Sequence, residues 1–189
     1  MNTSVDVNIN PELIENYKKN KGLLNVAADG YFTVEHIRNG EVIHRQKSDN
    51  IVVDEGLTKI LDSALSGGTP VTTWYVGIFK NNYTPVAADV AATFPGVGKA
   101  NEITTEIDET VRPTWTEAGV TAKSITNSAS PAVFTANTTV SAYGAFMASI
   151  NTLGGTTGTL LAASKFASVR NLLATDVLNI TYTLTIADA

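Results

Sequence analysis

His36 and His44 are the only histidines in the chain, and they flank the dipeptide Asn39-Gly40. Asn-Gly is a strong type I′ hairpin signal, because both central residues of that turn need positive φ. A hairpin there brings the two imidazoles towards each other, which supplies part of a metal site. Glu35 points to the opposite strand face from His36, and Glu41 has no assigned side, so no third ligand is in place. The plainer reading is two polar residues on an exposed ribbon. Serine chemistry has little to work with, since no serine stands in a Gly-x-Ser-x-Gly elbow. Gly154-Gly155-Thr156-Thr157-Gly158 has the glycine density of a phosphate loop but not its Lys-Ser/Thr ending, and reads as a loop between strands. Paired carboxylates occur at Asp54-Glu55 and Asp108-Glu109. The first pair suits a helix N-terminus, where the dipole favours acids. Glu106, Asp108 and Glu109 read as a solvated acidic strand end, with calcium as the chemical alternative. Trp74, Tyr75, Trp115 and Tyr143 suggest a carbohydrate platform, but Trp74 and Tyr75 sit inside an apolar strand pattern that argues for core packing.

The elements that must position these residues are mostly strands. Tyr31 to Ile37 alternates, with Phe32, Val34 and His36 on one side. Its return strand is Val42 to Gln46, followed by a short apolar strand, Asn50 to Val53. A helix is expected from about Glu55 to Leu65, with Leu57, Ile60, Leu61, Ala64 and Leu65 at helical spacing and Gly67-Gly68 as its stop. Thr73 to Phe79 reads as a buried strand and Ala87 to Ala92 as a helical turn. Further strands are expected at Glu102 to Ile107, Ala132 to Ala136, Thr139 to Ile150 and Gly158 to Lys165. Asp176 to Ala187 has the strictest period-two pattern, placing Leu178, Ile180, Tyr182, Leu184 and Ile186 on one apolar face of a central strand. Strands separated by Gly, Asn and Ser loops, with one inserted helix, indicate a mainly β protein with a β-sandwich or jelly-roll-like body.

Composition agrees. The 189 residues have room for one domain with a sizeable core. Threonine is about one residue in seven, and charged residues are only 16%. Cysteine is absent, which excludes disulfides, thiolate metal sites and cysteine nucleophiles. A net charge of −5 argues against a broad nucleic-acid-binding surface. No apolar run approaches the roughly 18 residues of a membrane helix, and the polar, acidic first residues do not resemble a signal peptide. No cofactor is indicated.

Residues 1–30 read as an N-terminal arm and residues 31–189 as the β domain. Asn10-Pro11-Glu12 is a good helix start, and Leu13, Ile14 and Tyr17 share one face. Three apolar groups do not support a short helix in water. The arm is therefore expected to be mobile in the free protein and to order only against a neighbouring subunit or a partner, with Leu13, Ile14 and Tyr17 as the contact residues.

Three stretches carry a family resemblance. They are Asn50 to Leu57 with the following helix, Trp74 to Phe79 with Asn82-Tyr83-Thr84-Pro85, and the C-terminal half. That half contains Arg112-Pro113-Thr114-Trp115, Asn127-Ser128, Tyr143-Gly144-Ala145-Phe146, Gly158-Thr159-Leu160 and Asp176-Val177-Leu178. Over residues 31–187 the chain resembles virion structural proteins of tailed bacteriophages, in kind the capsid decoration, or cement, proteins. The resemblance implies a jelly-roll-like fold, the major capsid protein as partner and self-association, with a homotrimer expected. It implies a place on the capsid surface after synthesis in the bacterial cytoplasm, with no catalytic residues. A tail, collar or fibre protein is the alternative within the virion. A carbohydrate-binding module or polysaccharide-degrading enzyme is the alternative outside it.

Overall fold

The computed structural model describes residues 26–188. They form two antiparallel sheets face to face, a mainly β sandwich with one helix. The strands are β1 (Val26–Arg38), β2 (Glu41–Asp49), β3 (Ile51–Val52), β4 (Tyr75–Phe79), β5 (Ser124–Thr126), β6 (Ala132–Thr135), β7 (Val140–Ala148), β8 (Leu160–Leu172) and β9 (Val177–Asp188). The first sheet runs β2-β1-β9, and β5 and β6 pair with successive lengths of the free side of β9. The second runs β3-β8-β7-β4. The helix α1 (Asp54–Leu65) follows β3.

The hairpin forms as its turn residues require, with Asn39 and Gly40 at φ 52° and 82°. β1 begins at Val26, five residues before the strand start expected from alternation, so residues 26–30 of the expected arm are sheet. The alternation fades there because Ala27, Ala28, Asp29 and Gly30 are small or polar. The helix stops where glycine predicts: Gly67 takes φ 76°, and the Ser66 and Gly68 amides both donate to Asp62 O.

The main core lies between the sheets. Phe32 and Val34 of β1, Leu178, Ile180 and Tyr182 of β9 and Phe134 of β6 meet Val76, Ile78, Ala145, Met147 and Ala162 of the facing sheet. Of the five β9 residues expected in the core, Leu178, Ile180 and Tyr182 are fully buried and Leu184 is half-buried, but Ile186 is exposed. Ile186 lies near the end of β9, paired with Ala28 and four residues beyond Tyr182, the last fully buried residue on that face.

A second apolar cluster covers the other face of β4, β7 and β8, and this explains why those strands read as nearly continuous apolar runs. The loop 80–101 closes over Phe79, Phe146 and Ala163 and places Phe94 edge-on to Phe79 and Phe146, with ring centroids 5.8 and 5.2 Å apart. Phe79 and Phe146 each lie across a glycine of the neighbouring strand, Gly144 and Gly77 respectively, where no Cβ would fit beneath the ring. Ala87 to Ala92 makes turns without extending into a helix, whereas the strand expected at Glu102 to Ile107 is absent and makes only single bridges, Glu102 to Phe79 and Ile107 to Ala136. The cause in the second case is burial: Glu102, Ile103 and Ile107 all point inwards, which no strand with one solvated face can do.

Candidate functional site

The buried charged side chains of the described residues form three ionic clusters, each joining separate pieces of chain. The first contains one of the histidines. His36 and His44 are directly paired across the hairpin, as the turn demands. His36 is nevertheless buried, not displayed on an exposed ribbon, because it follows Phe32 and Val34 on the inward face of β1. Its Nε2 lies 2.9 Å from Asp176 Oδ2, and an ionised carboxylate only accepts, so the ring carries its proton on Nε2. Arg38 grips the same carboxylate with Nε at 2.8 Å and Nη2 at 2.6 Å, and the Leu173 amide donates at 2.8 Å. Asp176 thus ties β1 to the turn between β8 and β9. His44 does not join this cluster; its Nε2 is buried without a partner. Among the described residues no three metal-binding side chains converge.

The Arg38 guanidinium holds the Asp176 carboxyl well below the usual carboxylate range; burial opposes this, and the Leu173 amide and His36 add to the lowering. A carboxylate depressed in the folded state stabilises the fold in full above its unfolded pKa of about 4, and that stabilisation is lost as pH falls below it. Asp176→Asn is therefore expected to be less stable than the parent at pH 7. The gap should close as pH drops from about 5 to 2, measured by denaturant unfolding at several pH values. A gap independent of pH would remove the charged carboxylate as its cause.

The second cluster is Arg112 and Glu102, a fully buried bidentate pair with Nε–Oε1 and Nη2–Oε2 both 2.7 Å. Arg112 also donates to the carbonyls of Ile150 and Gly155, and Glu102 accepts from the Gly154 amide at 2.7 Å. The glycine-rich loop 154–158 is thus tied to this pair and lies between strands, as expected of a connection. Sequence alone missed Glu102 as buried, since its partner Arg112 stands 10 residues away. The third cluster centres on Asp89, which is fully buried and holds Lys99, the Tyr83 hydroxyl and the Val86 amide, clamping the loop 80–101. Its bond to Asp89 holds the Lys99 ammonium above its ordinary value.

The other acids are joints as well. Glu55 does more than complement its helix: its Oε2 accepts from the Ala91 and Leu160 amides at 2.8 and 2.7 Å, so it staples that loop and β8 to α1. Glu106 pairs with Lys80, and Glu109 accepts from the Thr135 amide, so this acidic stretch is partly engaged rather than freely solvated.

Two of the open surfaces among the described residues are a sheet face and a helix flank. The outer face of the first sheet carries a cleft of about 550 Å³, lined by Tyr31, Thr33, Glu35, Arg45 and the hydroxyls of Ser124, Thr126, Thr181 and Thr183. Much of its polarity is internally satisfied: Arg45 pairs with Glu35 at 2.5 Å, Lys47 lies 3.8 Å over the Tyr31 ring, and Thr183 bonds Thr126. Trp115 takes no part in any platform, because it is buried against Tyr182 and donates its indole N–H to Tyr182 O. The second surface is α1, where Leu57, Leu61 and Leu65 are exposed although they belong to the helix's apolar stripe. Beside it lies a groove of about 300 Å³ in which Ile60, Ala64, Pro70, Val71 and Trp74 are joined by the polar Lys59 and Ser63. Leu13, Ile14 and Tyr17, the contact residues expected from sequence, lie outside the described residues. No described helix is long and apolar enough to cross a membrane. No protein-family model matches the chain, and no curated protein matches it.

Proposed function

We propose that the chain is a structural protein of a tailed-bacteriophage virion, of the decoration kind, which binds the outer capsid and holds adjacent capsomers together. Its partners in this reading are the major capsid protein and further copies of itself, arranged as trimers on the capsid surface. One observation supports this most. The segments that carry the resemblance coincide with the mechanical joints of the fold. Asn50 to Leu57 spans β3 and the start of α1, and contains Glu55 with its two loop amides. Arg112 to Trp115 runs beside β4, where the Val76 amide donates to Pro113 O and the Trp115 amide to Trp74 O. Asn127 bridges to β9, donating to Ile180 O and accepting from the Tyr182 amide, while Asp176 closes the β8–β9 turn onto β1. A signature made of joints is what a load-carrying particle protein needs, since its task is to keep shape while its surface makes contacts.

Two measurements on virus particles test the reading. Copy number in purified particles should be in the hundreds; a dozen or fewer would assign the chain to the tail, collar or fibre. Particles lacking the protein should release DNA at lower temperature and at low salt. Deletion particles that keep their genome as well as complete ones under both stresses would overturn the decoration role.

A further inference from the structure

Strand register sets the floor of the cleft on the outer face of the first sheet. Thr33 of β1 lies directly beside Thr181 of β9, on neighbouring strands about 4.8 Å apart. One row along the strands, Glu35 of β1 stands opposite Arg45 of β2. One row the other way, Tyr31 stands opposite Thr183, which stands opposite Thr126 of β5. Successive rows on one face are about 7 Å apart, two residues of strand. A wall rises on the far side because β9 changes partner there. β5 ends at Thr126, opposite Thr183, and β6 begins at Ala132, opposite Ile180. The fully buried Asn127 pins the connecting loop across this gap: its Nδ2 donates to Ile180 O and its Oδ1 accepts from the Tyr182 amide. Ser128 and Pro131 are thereby held in place as the wall of the cleft.

We propose that this cleft is a binding site for a saccharide. Among the described residues, the hydroxyls of Thr33, Thr181, Ser128 and Tyr31 have no partner. Arg45 and Glu35 meet through Nη2 and Oε1 alone, which leaves Nε and Nη1 of one and Oε2 of the other free. A hydroxyl donates and accepts, a guanidinium only donates and a carboxylate only accepts, so the cleft offers both polarities across three rows. Its two charges cancel. A sugar, with a hydroxyl on nearly every carbon, meets such a surface with donors and acceptors of its own. An inorganic anion would face the Glu35 carboxylate, and an apolar ligand would strip water from the hydroxyls without replacing its bonds. One face of the Tyr31 ring is taken by Lys47, so the phenol brings its hydroxyl rather than a stacking surface. At about 550 Å³ the cleft suits one or two sugar rings. Floor and wall are fixed before binding, by the sheet and by Asn127, which keeps the ordering cost low. The site is separate from Trp74, Tyr75, Trp115 and Tyr143, the platform weighed from sequence, and it stands independently of the virion reading.

The test follows amide NMR shifts of the isotope-labelled full chain during titration with glucose, galactose, mannose, N-acetylglucosamine and the 1,4-linked disaccharide of each. At least one probe is expected to give saturable shifts with a dissociation constant of about 10 mM or below. Those shifts should be confined to residues 31–35, 45, 124–131 and 181–183. Thr33→Val/Thr181→Val removes two hydroxyls but keeps branched side chains suited to strands, and should weaken that binding at least tenfold. Ser128→Ala, on the loop, should weaken it severalfold. Thr185→Val should leave it unchanged, because that hydroxyl lies outside the cleft and already bonds Ser124 Oγ. No saturable shift with any of the sugars, shifts that map elsewhere, or full affinity in Thr33→Val/Thr181→Val would each overturn the proposal. Sodium sulfate is titrated in parallel; cleft shifts with sulfate and none with sugar would assign an anion site at Arg45 and overturn it as well.

Discussion

Arg112→Ala is expected to destabilise the protein by about 3–5 kcal/mol, the usual cost of removing one partner from a buried ion pair. The loss has more than one part. Glu102 is left as a buried carboxylate with only the Gly154 amide among its described partners, and the carbonyls of Ile150 and Gly155 lose a charged donor. The pair also joins the chain around residue 102 to the loop after β7, so both connections loosen together. Lysine is no substitute, since a single ammonium cannot reproduce the two parallel bonds of the guanidinium. Removing both charges, as Arg112→Met with Glu102→Leu, should recover much of the loss, because the desolvation cost disappears with the attraction. Denaturant unfolding of the single and double variants checks this. A single variant within about 0.5 kcal/mol of the parent would show that the pair is solvated in solution.

Ile180→Asp is expected to cost at least as much at neutral pH, about 3–5 kcal/mol, by a different route. Ile180 is fully buried on β9 between Val34 of β1 and Ala132 of β6, so strands flank it on both sides and the second sheet lies above it. A carboxylate there has no cation within the apolar layer, so burial raises its pKa and the protein favours the neutral acid. An acid whose folded pKa is raised destabilises increasingly as pH climbs above its unfolded value of about 4. The penalty should therefore be larger at pH 7 than at pH 4. An unchanged melting temperature at pH 7 would mean that β9 presents its other face to the core.

How much of this was legible beforehand follows the reach of the signals. β1 and β9 alternate with period two because each has one buried face, and their register agrees with that pattern. The hairpin turn and helix stop rest on single residues, Asn39-Gly40 and Gly67, whose backbone demands are local. Glu102, Asp89 and Arg112 were not legible as buried groups. Their partners are 10 residues away for the two ion pairs, and further still for the carbonyls of Ile150 and Gly155. Charge in a sequence reads as surface unless its partner is known. β5 escaped for another reason: three half-buried residues, Ser124 to Thr126, exist as a strand only because β9 offers them an edge. Exposure of Leu61 and Leu65 ran against the pattern, since spacing shows that a stripe exists but not what covers it.

The order of the strands has a consequence for biosynthesis. β9 is the scaffold on which β1, β5 and β6 assemble, yet it is the last strand of the described chain to leave the ribosome. Until then β1 has only β2 beside it, and a lone hairpin is marginal in water. Its second hydrogen-bonding edge stays unpaired until its partner on β9 is made, some 140 residues after Ile37. Folding is therefore expected to be post-translational and slow, dominated by closure of the longest loop in the molecule. Nascent chains stalled before residue 177 should be protease-sensitive and should recruit chaperones, and protection should appear abruptly once β9 has emerged.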